Sequence, residues 1–176
     1  QVMLRAAEGH RGQDVFVPID RSIFDREAIL VGADCDFILC CVDTLEARYI
    51  ADLMGSAFLM PIIDMGVVIP TRQTSTRTVI ADVCGRIDYV YPGGSNLADR
   101  GVYTPEALEA EYLRLNAPDV HREKVKEGYI KGMAEEAPSV ISLNMRASAA
   151  AVNELLARLY PFRHEPNSGY ARTFLS

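Results

Sequence analysis

The chain has 176 residues, a formal net charge of −6, and 49% hydrophobic against 24% charged residues. That length buries a genuine core and gives one domain, 1–176, as the first expectation, and the composition excludes a disordered chain. The acidic balance excludes a general nucleic-acid binder, which needs a basic face, but does not speak against binding a single nucleotide.

Val2 to Glu8 reads as the tail of a helix ended at Gly9, and Val15-Phe16-Val17-Pro18-Ile19 as an edge strand. Ser22 to Val31 has helical spacing, with Gly32 as its stop. Phe37 to Val42 is a continuous apolar run, as in a parallel strand covered on both faces. Thr44 to Leu59 follows as a helix whose stripe is Ile50, Leu53, Met54, Ala57 and Phe58. Pro61 to Val68 is the next strand. Strand, helix, strand, helix, strand is the order of a parallel α/β sheet with crossover connections.

After Pro70 the pattern changes. Thr71 to Thr78 is polar and turn-like, and Val79 to Tyr91 reads as one or two strands paired antiparallel, since no helix intervenes. Pro92-Gly93-Gly94 breaks the chain and opens a loop and helical insertion, 93–137. Within it Thr104-Pro105-Glu106 starts a helix, Thr as N-cap and Pro in the first turn. The charged stretch to Lys131 is interrupted at Pro118 and Gly128. The longest helix begins at Pro138-Ser139 and runs to about Tyr160, with Ile141, Met145, Ser148, Val152, Leu155, Leu156 and Leu159 as its core stripe. Phe162 to Ser176 reads as a closing hairpin around Asn167-Ser168-Gly169.

Cys35, Cys40, Cys41 and Cys84 lack Cys-x-x-Cys spacing and are expected to be buried free thiols in a reducing compartment. No basic-then-apolar leader is present, and no apolar run approaches the ~20 residues of a membrane span. A cytoplasmic protein without a membrane partner is therefore expected. The chain opens on Gln1 rather than Met, which points to a missing N-terminal segment.

Asp43 is the most informative acid, because it stands where the Phe37 to Val42 run gives way to a helix. In open α/β sheets ligands bind at the carboxyl ends of strands, near helix N-termini, and a carboxylate there suits a nucleotide's Mg²⁺. Asp43 fits a helix cap equally well, with Glu46 completing a capping box, and the two roles are compatible. Arg48, one turn on, suits a phosphate or a plain solvated position. Asp64 needs a partner if it is buried. His10, His121 and His164 lack ligand spacing and are expected at the surface. Gly93-Gly94 lacks the pattern of a phosphate loop, and no other segment supplies one.

Three segments together resemble the ThiF/HesA/MoeB family of ubiquitin-activating-enzyme-like adenylyltransferases: Ala33 to Arg48, Met60 to Val67, and Ala137 to Asn144. Between them Gly85 to Gly93 is similar to the family's strand ending in a Pro-Gly turn. The resemblance covers about residues 14 to 160. It implies a Rossmann-like, mostly parallel sheet flanked by helices, with an antiparallel hairpin extension in the C-terminal half. It also implies that this chain is the C-terminal part of an enzyme that adenylates the C-terminal carboxylate of a ubiquitin-like or sulfur-carrier protein. ATP and Mg²⁺ are the implied cofactors, Asp43 the metal-coordinating aspartate, Arg48 a recurrent arginine of the same motif, and a homodimer the implied assembly.

The sequence departs from the family in two places. The family's glycine-rich loop has no counterpart here, and Asn96 and Asp99 fall where many relatives carry Cys-x-x-Cys, so no zinc site is expected. The competing reading is a non-catalytic subunit that binds a ubiquitin-like protein or pairs with an active relative.

Overall fold

The computed structural model describes residues 16–69, 71–80, 82, 84–127 and 140–175. The expected helix Val2–Glu8 lies outside them. The chain divides into two compact units, one ending at Asp34 and the other beginning at Cys35.

The described part of the first unit is short. Residues 16–20 are irregular and exposed, so Phe16 to Ile19 do not form the expected strand. A strand needs a hydrogen-bonding neighbour, and these residues have none among those described. Helix α1 (Arg26–Ala33) starts four residues later than expected. Ser22 and Asp25 close a turn ahead of it, with the Asp25 amide donating to the Ser22 carbonyl at 2.9 Å. Gly32 lies inside α1, and the helix ends one residue later, at Ala33.

The second unit is α/β. Its elements are β1 (Ile38–Cys40), α2 (Leu45–Ala57), β2 (Ile62–Val68), β3 (Thr71–Gln73), β4 (Thr78–Ile80), β5 (Cys84–Val90), α3 (Pro105–Asn116), α4 (Pro118–Lys126), α5 (Ile141–Leu159) and β6 (Arg172–Leu175). With α1 this makes five α-helices among the described residues. Four strands form a mixed sheet in the order β1-β2-β5-β6. Only the β1–β2 pair is parallel, and β2–β5 and β5–β6 run antiparallel. The mostly parallel arrangement expected from the strand-helix order is therefore confined to one pair, because the chain after β2 returns through strands rather than a helix.

The sequence-expected β1 run is also shortened. Its three residues lie at an edge of the described sheet, and Leu39 is 42% exposed rather than covered on both faces. The polar stretch expected as a turn is a hairpin, in which β3 and β4 pair around a turn closed by Thr74 and Arg77.

Alternation along β2 and β5 sends successive side chains to opposite faces. Ile63 and Ile87 pack with Ala151 of α5, joined by Phe37, Met65, Tyr89 and Leu155. Ile62 and Asp64 point the other way, toward α2. Gly55 is required there: a Cβ would stand 2.4 Å from Ile62 Cδ1. The buried residues of α2 are Ala47, Arg48, Ala51, Asp52, Met54 and Gly55, so Leu53, Ala57 and Phe58 of the expected stripe are exposed. Ala47, Ala51 and Gly55 allow close approach, while Arg48 and Asp52 turn inward to hydrogen-bond partners.

Helix α5 inverts its expected stripe. Ala147, Ala151, Glu154 and Ala157 are buried, while Ile141, Met145, Val152, Leu156 and Leu159 are exposed. Only Leu155 of the expected set touches the core cluster. Thr104 caps α3, its Oγ1 accepting the Ala107 amide at 3.2 Å, with Pro105 in the first turn as expected. The helical stretch breaks at Ala117, before Pro118. The closing hairpin is not formed: a 3₁₀ turn, Asn167–Tyr170, leads into the single strand β6. Arg158 of α5 secures that segment. It donates to Tyr170 O, pairs with buried Glu154 and lies 3.8 Å over the Tyr89 ring.

Cysteine placement differs from expectation. Cys40 is buried, but Cys35, Cys41 and Cys84 are exposed, and none of the four forms a disulfide with another. No helix among the described residues is long and apolar enough to cross a membrane.

Candidate functional site

The site is built where β1 ends. Cys40 pairs in register with Asp64 of β2, and Asp64 pairs with Asp88 of β5. Past Cys40 the chain turns through Cys41 and Val42 to Asp43, then enters α2. Thr44, not Asp43, is the N-cap: its side chain accepts the Ala47 amide at 3.3 Å. The capping box expected of Asp43 and Glu46 is thus not formed. The Glu46 amide instead donates to the carboxylate of Glu111, which reaches it from α3 at 3.0 Å. A carboxylate at a helix N-terminus meets both unpaired amides and the positive end of the helix dipole. Asp43 is left exposed, and among the described residues its carboxylate makes no hydrogen bond or ion pair.

Arg48 is not a surface arginine, being 7% exposed. Its Nε donates to Asp64 Oδ1 at 2.7 Å, and its Nη2 donates to the carbonyls of Val42 at 2.8 Å and Met65 at 3.1 Å. One guanidinium therefore fastens the residue before Asp43 to the neighbouring strand. It also supplies the partner that buried Asp64 needs. A planar fork with several fixed donors does this; a lysine ammonium does not.

The ionic contacts continue across the sheet. Arg86 Nη1 lies 2.7 Å from Asp64 Oδ2, close enough for an ion pair but misaligned for a hydrogen bond. The same nitrogen donates to Asp88, which also accepts from Arg100 and Arg172. Burial alone would raise the Asp88 carboxyl's pKa, but hydrogen bonds from Arg172 and Arg86 and their charges outweigh it and hold the group below its ordinary value.

The insertion is anchored beside this region. Asp52 of α2 is buried, and its Oδ2 accepts the Leu97 amide at 3.1 Å and the Tyr103 hydroxyl at 2.6 Å. Burial, and then that bond, push the Tyr103 phenol well above its usual pKa. Asn96 and Asp99 close a turn on each other, each backbone amide donating to the other's side chain.

No family model matches the chain, and no curated protein matches it. What the site can do follows from its own donors. Among the described residues no three His, Cys, Asp or Glu side chains gather as metal ligands. A single open carboxylate such as Asp43 suits Mg²⁺ when the ion arrives with phosphate and water ligands of its own.

The thiols nearby are poor nucleophiles. Burial and the neighbouring Asp64 carboxylate push Cys40 up to about 12, and the same causes raise Cys41. A hydrogen bond to Asp82 raises Cys84. His121 is half-buried and His164 exposed, and neither is brought to Asp43 by any described bond.

Sequence reasoning missed Arg86, Asp88, Arg100, Arg172 and Glu111. The alternation Arg86-Ile87-Asp88-Tyr89 signals a polar strand face opposite an apolar one. Nothing local in the sequence marks Arg100, Arg172 or Glu111, whose partners lie 12, 84 and 65 residues away.

Proposed function

We propose that this chain is the C-terminal part of a ThiF/HesA/MoeB-type adenylating enzyme, with a Rossmann-like core that has helices meeting both faces of its sheet. The proposed substrate is the C-terminal carboxylate of a ubiquitin-like or sulfur-carrier protein. The observation that supports this reading is Asp43, an open carboxylate just past the end of a parallel strand and beside a helix N-terminus. Ligand crevices of open α/β sheets lie there.

In the proposed reaction a substrate carboxylate oxygen attacks the α-phosphorus of ATP, and the bond to pyrophosphate breaks. The products are an acyl adenylate and pyrophosphate, with no net electron transfer. Asp43 would hold Mg²⁺, which supplies charge neutralisation at the phosphates. Arg48 keeps the Asp43 loop in place through Val42, so that the carboxylate is preorganised. The glycine-rich loop that cradles phosphates has no counterpart in the 176 residues. Asn96 and Asp99, which stand where many relatives carry Cys-x-x-Cys, favour a second reading, a non-catalytic subunit that binds a ubiquitin-like protein or pairs with an active relative.

ATP–pyrophosphate exchange by the full-length protein with a candidate ubiquitin-like partner separates the two. Asp43→Ala is expected to abolish exchange while leaving the unfolding midpoint unchanged. Exchange retained in full by that variant removes the metal role, and partner binding without exchange in the wild type supports the non-catalytic reading.

We further propose a homodimer formed through the outer face of α5. Ile141, Met145, Val152, Leu156 and Leu159, with Tyr160 and Phe162 beyond, are all exposed, and none of them is charged. They form one apolar stripe, and a stable interface takes about 800 Å² per partner. Because Ser148 and Ala149 are small and lie midway, an antiparallel second copy sets Met145 against Val152 around a two-fold axis.

A further inference from the structure

We propose that the arginines around Asp88 form an oxyanion-binding site, which takes a carboxylate or phosphate group on the open edges of Arg86, Arg100 and Arg172.

The starting point is a charge imbalance. Among the described residues, Arg48, Arg86, Arg100 and Arg172 have only Asp64 and Asp88 within ion-pair distance. Four cations against two anions leave a surplus of two positive charges. Both aspartates are fully buried. Arg48 is buried with them and is occupied by Asp64 and two carbonyls.

The other three arginines are not used up. The Arg86 side chain is 20% exposed and that of Arg172 29%. Arg86 Nη2, Arg100 Nη2 and Arg172 Nη1 donate to no acceptor among the described residues. All three side chains donate to the same carboxylate, Arg100 and Arg172 sharing Oδ1 and Arg86 and Arg172 sharing Oδ2, so their guanidinium groups are neighbours. Like charges this close repel, and the repulsion is strong where water is partly excluded. An arriving oxyanion relieves it and takes up the open N–H donors at the same time. Planar forks are the donors best matched to carboxylate and phosphate oxygens.

The backbone is shaped to allow this. Gly66 pairs with Arg86 in register, and a Cβ at Gly66 would come within 3.3 Å of Arg86 Nη2. The missing side chain leaves that guanidinium a few tenths of an ångström more room beside β2. Cys40, Asp64, Asp88 and Arg172 form one row across all four strands, and the Gly66–Arg86 row lies beyond the end of β1. Arg86 thus lies past the carboxyl end of β1, the kind of position at which α/β sheets receive ligands. The site stands independently of adenylation, since Asp43 contributes nothing to it.

The test is a titration of the whole chain, labelled with ¹⁵N at arginine, with inorganic phosphate and separately with acetate. Ionic strength is held constant with sodium chloride. Saturable shifts are expected at the Nε–H signals of Arg86, Arg100 and Arg172. Arg172→Gln is expected to weaken binding about tenfold, the effect of losing one charge-assisted fork. Asp88 keeps Arg86 and Arg100 in that variant, so the fold is retained. Gly66→Ala, which pushes Arg86 aside without removing a charge, is expected to weaken binding in the same direction.

Tighter binding of phosphate assigns a phosphoryl ligand, and tighter binding of acetate a carboxylate ligand. Shifts that fail to saturate, or equal affinity in wild type and both variants, overturn the proposal.

Discussion

Replacing Arg48 by Met removes the side chain that joins the Asp43 loop to β2. Asp64 is fully buried and loses its 2.7 Å hydrogen bond at Oδ1. What remains is Arg86 at 2.7 Å from Oδ2, without hydrogen-bond alignment, and the neighbouring Cys40 thiol. Breaking a buried pair from one side costs roughly 3–5 kcal/mol. The carbonyls of Val42 and Met65 also lose a donor, about 1 kcal/mol each where water does not replace it. Arg86 offsets part of the first term, so a net loss of about 4 kcal/mol is expected. In a chain of this size that lowers the midpoint of thermal unfolding by about 10 °C.

Urea unfolding with an unchanged m-value reads the loss directly. The double variant Arg48→Met with Asp64→Leu should regain most of it, because no uncompensated charge stays buried. A loss below about 1 kcal/mol, or a double variant no more stable than the single one, refutes the reasoning.

Three further outcomes are expected. Gly55→Ala places a methyl 2.4 Å from Ile62 Cδ1 and 3.1 Å from the Met60 carbonyl, so overpacking should cost about 1–3 kcal/mol in urea unfolding; an unchanged midpoint counts against the close α2–β2 contact. Because the Asp88 pKa is lowered in the folded state, its contribution is complete above about pH 4 and is lost as pH falls through the folded value. Asp88→Asn, less stable at neutral pH, should therefore show a shallower decline of its unfolding midpoint between about pH 5 and 2; parallel declines would show that Asp88 carries no such linkage. Val152→Glu should convert a dimer to a monomer in size-exclusion chromatography with light scattering, its circular dichroism unaltered, and a monomeric wild type removes the α5 interface.

The β1–α2–β2 segment was legible because its pattern was local: an apolar run, a helix with caps at its start, a second apolar run. Orientation within that frame was not. Asp43 and Thr44 both suit an N-cap by type and spacing, and only the position of Thr44 Oγ1 relative to the Ala47 amide decides between them. Arg48 looks like any solvated helix arginine until β2 brings Asp64 against it.

On α5 the error came from side-chain size. The large apolar residues and the alanines lie on different faces, and hydrophobicity favours burying the former. The sheet accepts the latter, because Ala151 lets the helix come close to Ile63 and Ile87. The β3–β4 hairpin escaped notice because its polar residues carry no alternation to read. The pairing of Asp88 with Arg172 was out of reach for a different reason, since a contact spanning 84 residues leaves no local trace.

The first turn of α2 already holds an anion of its own. With the Glu111 carboxylate seated on the Glu46 amide, an incoming phosphate at that spot must evict a resident rather than settle on open ground. Eviction loosens α3, and whatever clamps α3 down weakens the newcomer by the same factor. On the function proposed above, the insertion would thereby compete with the ligand for that end of the helix.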